Sequence, residues 1–293
     1  MGSGAKPRQV ILAQILNGLQ YGLLLFLISS GLTLIFGVMG IINLAHGSLF
    51  MIGAYLAFVM TTASVPLWAA LLAAIAGGLV FGAILERLLF RHFRDREHLD
   101  QVLLTFALIL LFEEARSALL GNQFHSVPIP AALDFSVPVT ADFAYSAYRL
   151  AVLLACLCVA GLMILAIERT RIGAAIRASA ENPEMVAALG LDSRRIHTLV
   201  FAAGTALAML AGALAAPLQS VYPGMGDGFL ILSFVVVVIG GLGSVTGAFN
   251  AALLIGMIDT LGKAYLPQLA GLAVFGMMAL VLLWRPTGLF SRT

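Results

Sequence analysis

The chain has 293 residues, of which 61% are hydrophobic and 10% charged, with a formal net charge of +2; its mean hydropathy is +1.04, whereas a soluble domain carries about a quarter charged residues. An ordinary soluble globule is therefore excluded, and no Lys/Arg-rich stripe accompanies stacking aromatics, which excludes nucleic-acid recognition. Runs of roughly 20 apolar residues recur, each long enough at 1.5 Å per residue to cross a hydrocarbon core of about 30 Å. None alternates apolar with polar as barrel strands of about 10 residues do. The fold class is all-α, a polytopic transmembrane helical bundle.

Hydropathy predicts spans near 9–37, 45–64, 66–86, 99–120, 147–167, 196–217, 229–242, 247–265 and 268–285. The run at 229–242 is short enough to be a half-helix, so eight or nine crossings are expected within a single transmembrane domain over 1–293. The first run is about twice the length of a signal-peptide h-region and no small-residue cleavage site follows it, so no cleavable signal is expected.

Between the first two spans, "GIINLAHGSLF" places Asn43 and His46 three apart among apolar neighbours, with Gly40 and Gly47 around them. Glycine permits the backbone to break, and a broken helix at membrane depth survives only where protein or a water-lined cavity satisfies its polar groups. Two readings stay open: a structural turn in which Asn43 and His46 bond freed backbone groups, or residues lining a translocation path or gate. Pairs at small-xxx-small spacing, Gly18 with Gly22, Gly78 with Gly82 and Gly243 with Gly247, read as close helix packing.

Three hydrophilic connections differ in basic content. Residues 86–98 hold Arg87, Arg91, Arg94 and Arg96, and residues 168–197 hold Arg169, Arg171, Arg177, Arg194 and Arg195, so both are cytoplasmic by the positive-inside rule. Residues 121–148 carry Pro128, Pro130, Asp134, Pro138 and Asp142 but no Lys or Arg before the connection ends, and belong outside. Parity then puts the N-terminus outside despite Lys6 and Arg8, or inside if residues 31–64 only dip into the membrane; Arg285 and Arg292 beside Trp284 suit a cytoplasmic C-terminus. Near the outer end of the fourth span, Glu113 can pair with Arg116, or Glu113 and Glu114 meet an external protein. Cys156 and Cys158 lie two apart in one run, point to different helix faces and cannot bridge each other.

In the second basic connection Asn182 caps a helix that Pro183 begins, Glu184 favours its positive end and Gly190 closes the far end in the left-handed conformation. Met185 and Leu189 share a face with Val186 beside them, an apolar knob that either docks on another protein or lies on the bilayer surface. Farther on, Asp259 and Lys263 are four apart, close enough for an intrahelical pair; an unpaired charge at the bilayer centre costs about 2.5–3.5 kcal/mol on insertion scales. They are either a self-neutralised pair near the outer interface, with Lys263 snorkelling, or part of the path. A phosphate-binding loop is not formed: "MIDTLGKA" has Met257 where the first Gly belongs and Ala264 where Ser or Thr should meet magnesium. An intramembrane hydrolase using His46 and Ser48 is disfavoured, because residues two apart on a helix face apart and no G-x-S-x-G elbow occurs.

Four blocks in order, "GLTLIFGVMGIINLAHGSLFMIGAY", "RASAENPEMVAALGLDSRRI", "VVVVIGGLGSVTGAFNAALLIG" and "RPTGL", resemble the permease subunits of branched-chain amino acid ABC importers. The resemblance covers nearly the whole chain and implies the ABC importer permease fold, in the bacterial inner membrane. It implies a second homologous permease subunit, two cytoplasmic ATP-binding subunits that hydrolyse ATP in place of this chain, an extracytoplasmic solute-binding protein, and neither cofactor nor metal. Glu184, Met185, Ala187, Ala188, Leu189 and Gly190 then form the coupling helix, although the "MV" after Glu184 departs from the strict E-A-A-x-x-x-G form. Relatives of the class also serve urea, short amides and aromatic or other carboxylates. The rival class is an ATP-independent secondary transporter or channel.

Overall fold

A computed structural model describes residues 7–94, 96–140, 143–188 and 190–290. Lys6, Asp142, Leu189 and Arg292 lie outside the described residues, as do the side chains of Pro183, Glu184 and Ala187. The chain forms α1 (Pro7–Met39), α2 (His46–Thr62), α3 (Leu67–Leu85), a π-helical turn (Glu86–Phe90), α4 (Arg91–Phe93), α5 (His98–Leu120), β1 (Ser136–Thr140), β2 (Phe143–Ser146), α6 (Ala147–Arg169), α7 (Arg171–Glu181), α8 (Pro183–Ala188), α9 (Ser193–Ala215), α10 (Met225–Gly240), α11 (Val245–Tyr265) and α12 (Ala270–Trp284).

Among the described residues, five helical stretches are long and apolar enough to cross a membrane: Gln9–Met39, Leu67–Phe93, Ala147–Arg169, Ser193–Ala215 and Val245–Tyr265. The others are shorter, or, like α5 with Asp100, Glu113, Glu114 and Arg116, carry more charge. Burial ranks the five. The apolar windows of α1 and α9 are each 83% buried, against 28% for Leu67–Phe93 and 17% for α6. α1 and α9 are thus the axis of the bundle, and α3 and α6 are its outer wall.

Small residues allow this axis to close. A methyl group added at Gly22 would stand 2.8 Å from the Ala252 carbonyl oxygen of α11, and one at Gly31 would stand 2.6 Å from that of Gly204 in α9. Gly78 and Gly82 seat α3 on Ala206 and Ala202 of α9 in the same way. Such approach is what joins helices where lipid supplies no hydrophobic drive between them. The third expected pair departs from this: Gly243 lies in the turn between α10 and α11 and abuts Gly37 at the end of α1, so only Gly247 of that pair is helical.

The bundle has features the apolar runs did not announce. β1 and β2 form an antiparallel hairpin, Val137 opposite Tyr145, with an irregularity between Pro138 and Thr140 where a proline removes a ladder donor. Paired bonds between His125 and Val221, 2.8 Å each, tie the same connection to the segment after α9. The helix expected to end near Glu86 continues through its π-turn to Phe93. Cys156 is buried and Cys158 exposed, on separate faces.

Candidate functional site

The connection after α6 is built from its caps. Thr170 Oγ1 accepts the Gly173 N–H at 3.0 Å to start α7, which folds back on α6 so that Arg177 donates to the Ile167 carbonyl. Gly173, Ile176 and Ser179 face inward. Asn182 Oδ1 then accepts the Met185 N–H at 2.9 Å, starting α8, and Gly190 closes it at φ +78°. Asp192 Oδ1 accepts the Arg194 N–H at 3.0 Å, starting α9. Met185 stands 56% exposed, with Ala188 and Gly190 also exposed. Val186, expected on the same knob, is instead 1% exposed, because α8 packs on α7 and on the start of α9 and one of its faces is consumed there.

After Met39 the chain doubles back. Gly40 has φ +67°, and α2 begins with His46 Nε2 2.9 Å from the Ile28 carbonyl, eleven residues before the end of α1, or about 16 Å along a helix. The carbonyl can only accept, so Nε2 carries the proton. Asn43 Oδ1 accepts the Ala45 N–H at 3.1 Å, and the Asn43 carbonyl accepts the His46 N–H at 3.2 Å. Both side chains are buried and serve the break in the backbone, while Asn43 Nδ2 and His46 Nδ1 have no hydrogen-bond partner among the described residues.

Asp259 Oδ2 takes Lys263 Nζ at 2.6 Å, the aspartate buried and the lysine 62% exposed over the Tyr21 ring. Glu113 is committed twice, to Arg116 Nε at 3.1 Å and to the Gly224 N–H at 3.0 Å, so it fastens α5 to the start of α10. Arg116 in turn donates to the Gly121 carbonyl at 2.6 Å and to Asn122 Oδ1 at 2.9 Å. Glu114 is exposed.

One buried group went unread in the sequence. Glu86 is 2% exposed and accepts from Thr198 Oγ1 at 2.6 Å and Arg91 Nη2 at 3.3 Å, joining the π-turn to α9; Arg94 meets His197 one residue away. The signal was that "ILERLLFRHF" keeps helical spacing past Glu86.

With this geometry in place, comparison with known proteins is decisive for kinship. A family model described as "Branched-chain amino acid transport system / permease component" matches residues 14–283. The chain belongs to that permease family. The permease is 33% identical to the high-affinity branched-chain amino acid transport system permease protein BraD of Pseudomonas aeruginosa, over 96% of both chains. It is 29% identical to LivH of Escherichia coli K12, again over 96% of both. To LivM of the same organism it is 28% identical, over 90% of this permease and 67% of LivM. No solved structure matches the permease.

Proposed function

We propose that this permease is the membrane subunit of an ATP-binding cassette importer for branched-chain or related amino acids. A second homologous permease subunit completes the pathway, two cytoplasmic ATP-binding subunits drive it, and an extracytoplasmic solute-binding protein loads it. The likeness to both LivH and LivM, permease proteins named for one transport system, supports a pair of related subunits. The carrying observation is the α7–α8 connection, where every helix start is capped, Met185 is offered outward and Val186 is anchored inward. Residues 189–192 alone separate α8 from α9, so a partner gripping α8 pulls directly on an axial helix.

The contacts between ends support one orientation. The Tyr145 hydroxyl donates to Asn17 Oδ1 at 2.7 Å, so the start of α1 shares a side with the Lys/Arg-free connection. The Leu289 N–H reaches the Ile239 carbonyl at 2.8 Å, and the nearby α10–α11 turn lines one cavity with Glu168 and Arg177. This supports an outer N-terminus, a cytoplasmic C-terminus and an odd number of crossings, nine when α5 and the three shorter apolar helices are counted with the five long spans.

Reconstitution into liposomes with the ATP-binding subunits and binding protein tests the reading. Uptake of labelled leucine, isoleucine or valine should require ATP and both partners. Uptake that persists without the ATP-binding subunits would establish the ATP-independent class, and transport of urea, an amide or an aromatic carboxylate in place of these amino acids would move the substrate assignment.

A further inference from the structure

α1 is an axial helix, yet it carries Gln14, Asn17, Gln20 and Tyr21 at three- and four-residue spacing, a polar stripe in an apolar run. α11 carries Asp259, Thr260 and Lys263 on one face in the same manner. The glycine seam of Gly18, Gly22 and Gly256 locks these helices together, and both stripes open into one cavity of about 460 Å3. Arg149, in the first turn of α6, reaches into it and is held by Gln20 Oε1 at 3.1 Å and Asn17 Oδ1 at 3.3 Å. Leu24, Leu218 and Phe229 supply an apolar wall. The cavity lies beside Tyr145, on the side of the 121–148 connection.

Polar and charged groups inside a bundle are expensive and are retained where they face a pathway. Packing alone does not require them here, since the adjoining seam closes with glycine and alanine. The chemistry of the set is specific. Arg149 is a planar guanidinium preheld by two amides, suited to a carboxylate. Asp259 gives one oxygen to Lys263 and has a second for another donor. The apolar wall suits a hydrocarbon side chain, and the volume is within the roughly 300–1,000 Å3 of small-molecule sites.

We infer that this cavity is a substrate subsite of the permease itself, taking a small α-amino acid with an apolar side chain, its carboxylate on Arg149, its ammonium on Asp259 and its side chain against Leu218 and Phe229. The inference rests on the proposed import function and adds that selection is repeated inside the membrane after delivery. A neutral ligand such as urea leaves the Arg149 charge without a counter-ion and is rejected.

The test is equilibrium binding of labelled leucine to the complete transporter in nanodiscs, with the binding protein omitted. Competitors are valine, 4-methylpentanoate, which lacks the ammonium, 3-methylbutylamine, which lacks the carboxylate, and urea. Valine should displace leucine, each singly charged analogue should be weaker by roughly tenfold or more, and urea should be inert. Asp259→Asn and Arg149→Gln should each weaken leucine binding by a similar factor, with Arg149→Lys recovering part of it. Leu218→Trp fills the cavity without touching the charges and should abolish binding. Equal displacement by the single-charge analogues, or wild-type binding in Asp259→Asn and Leu218→Trp, overturns the subsite. Those results alongside normal ATP-driven uptake would leave the importer standing, whereas wild-type liposomes that show no ATP-driven uptake would remove the importer reading.

Discussion

Replacing Gly31 with alanine measures how tightly the axis of the bundle is closed. The added methyl carbon would lie 2.6 Å from the carbonyl oxygen of Gly204 and 3.1 Å from its carbonyl carbon and Cα. All three are backbone atoms of α9, so no side-chain rotation relieves the contact and the helices must separate. Overpacking of this kind costs about 1–3 kcal/mol. Alanine returns up to about 1 kcal/mol of helix propensity over glycine, which leaves a net loss of up to roughly 2 kcal/mol. Gly161 in α6 is the internal control, because a methyl group there meets nothing within 4 Å and only the propensity gain, up to about 1 kcal/mol, remains. Unfolding followed by circular dichroism, with SDS titrated into dodecylmaltoside micelles, should move the two midpoints in opposite directions. Equal midpoints would refute the claim that backbone contact between α1 and α9 sets this seam.

Met185→Asp should leave the permease inserted and folded but abolish ATP-driven uptake in reconstituted liposomes, and normal uptake would remove α8 as the coupling element. With Cys156 and Cys158 replaced by alanine, an impermeant maleimide added outside should label Ser136→Cys and miss Glu181→Cys; the reverse pattern inverts the orientation. Asn43→Ala removes the acceptor for the Ala45 N–H and should cost about 0.5–2 kcal/mol of stability, with Asn43→Ser recovering most of it. His46→Gln retains a donor for the Ile28 carbonyl and should keep both stability and uptake, whereas uptake lost at unchanged stability would make His46 part of the path.

Much of the architecture was legible because membrane burial writes long, simple patterns. The expected runs coincide with helices, and Asn182, Pro183 and Gly190 marked α8 because caps are local chemistry. What escaped depends on long-range partners. Residues 171–181 read as loop because Ile172 and Ile176 are their only large apolar side chains, yet Thr170 caps them and α6 offers a surface on which Gly173 and Ile176 settle. Whether Val186 pointed outward or inward was decided by α7 and α9, not by its spacing from Met185. Glu86 looked like the first hydrophilic residue of a loop, and only Thr198, 112 positions away, turns it into a buried acceptor. The hairpin was hidden by its proline. In the path candidates, the sequence supplied the residue types, while the doubling-back of the chain at Gly40 determined what Asn43 and His46 touch.

The burial of α1 also constrains the order in which the protein can be made. Its neighbours along the axis, α9, α10 and α11, begin at Ser193, Met225 and Val245, so a ribosome must deliver most of the chain before the first helix finds its partners. Tyr145 and Arg149 can meet Asn17 and Gln20 as soon as α6 is made, but α2, whose seat is on α9 and α10, has no stable depth until those helices follow. Chains released before α9 is complete therefore leave the faces of α1 and α2 that α9 covers without their partner. Tags or fusions at the C-terminal end burden the half of the molecule on which the first helix waits.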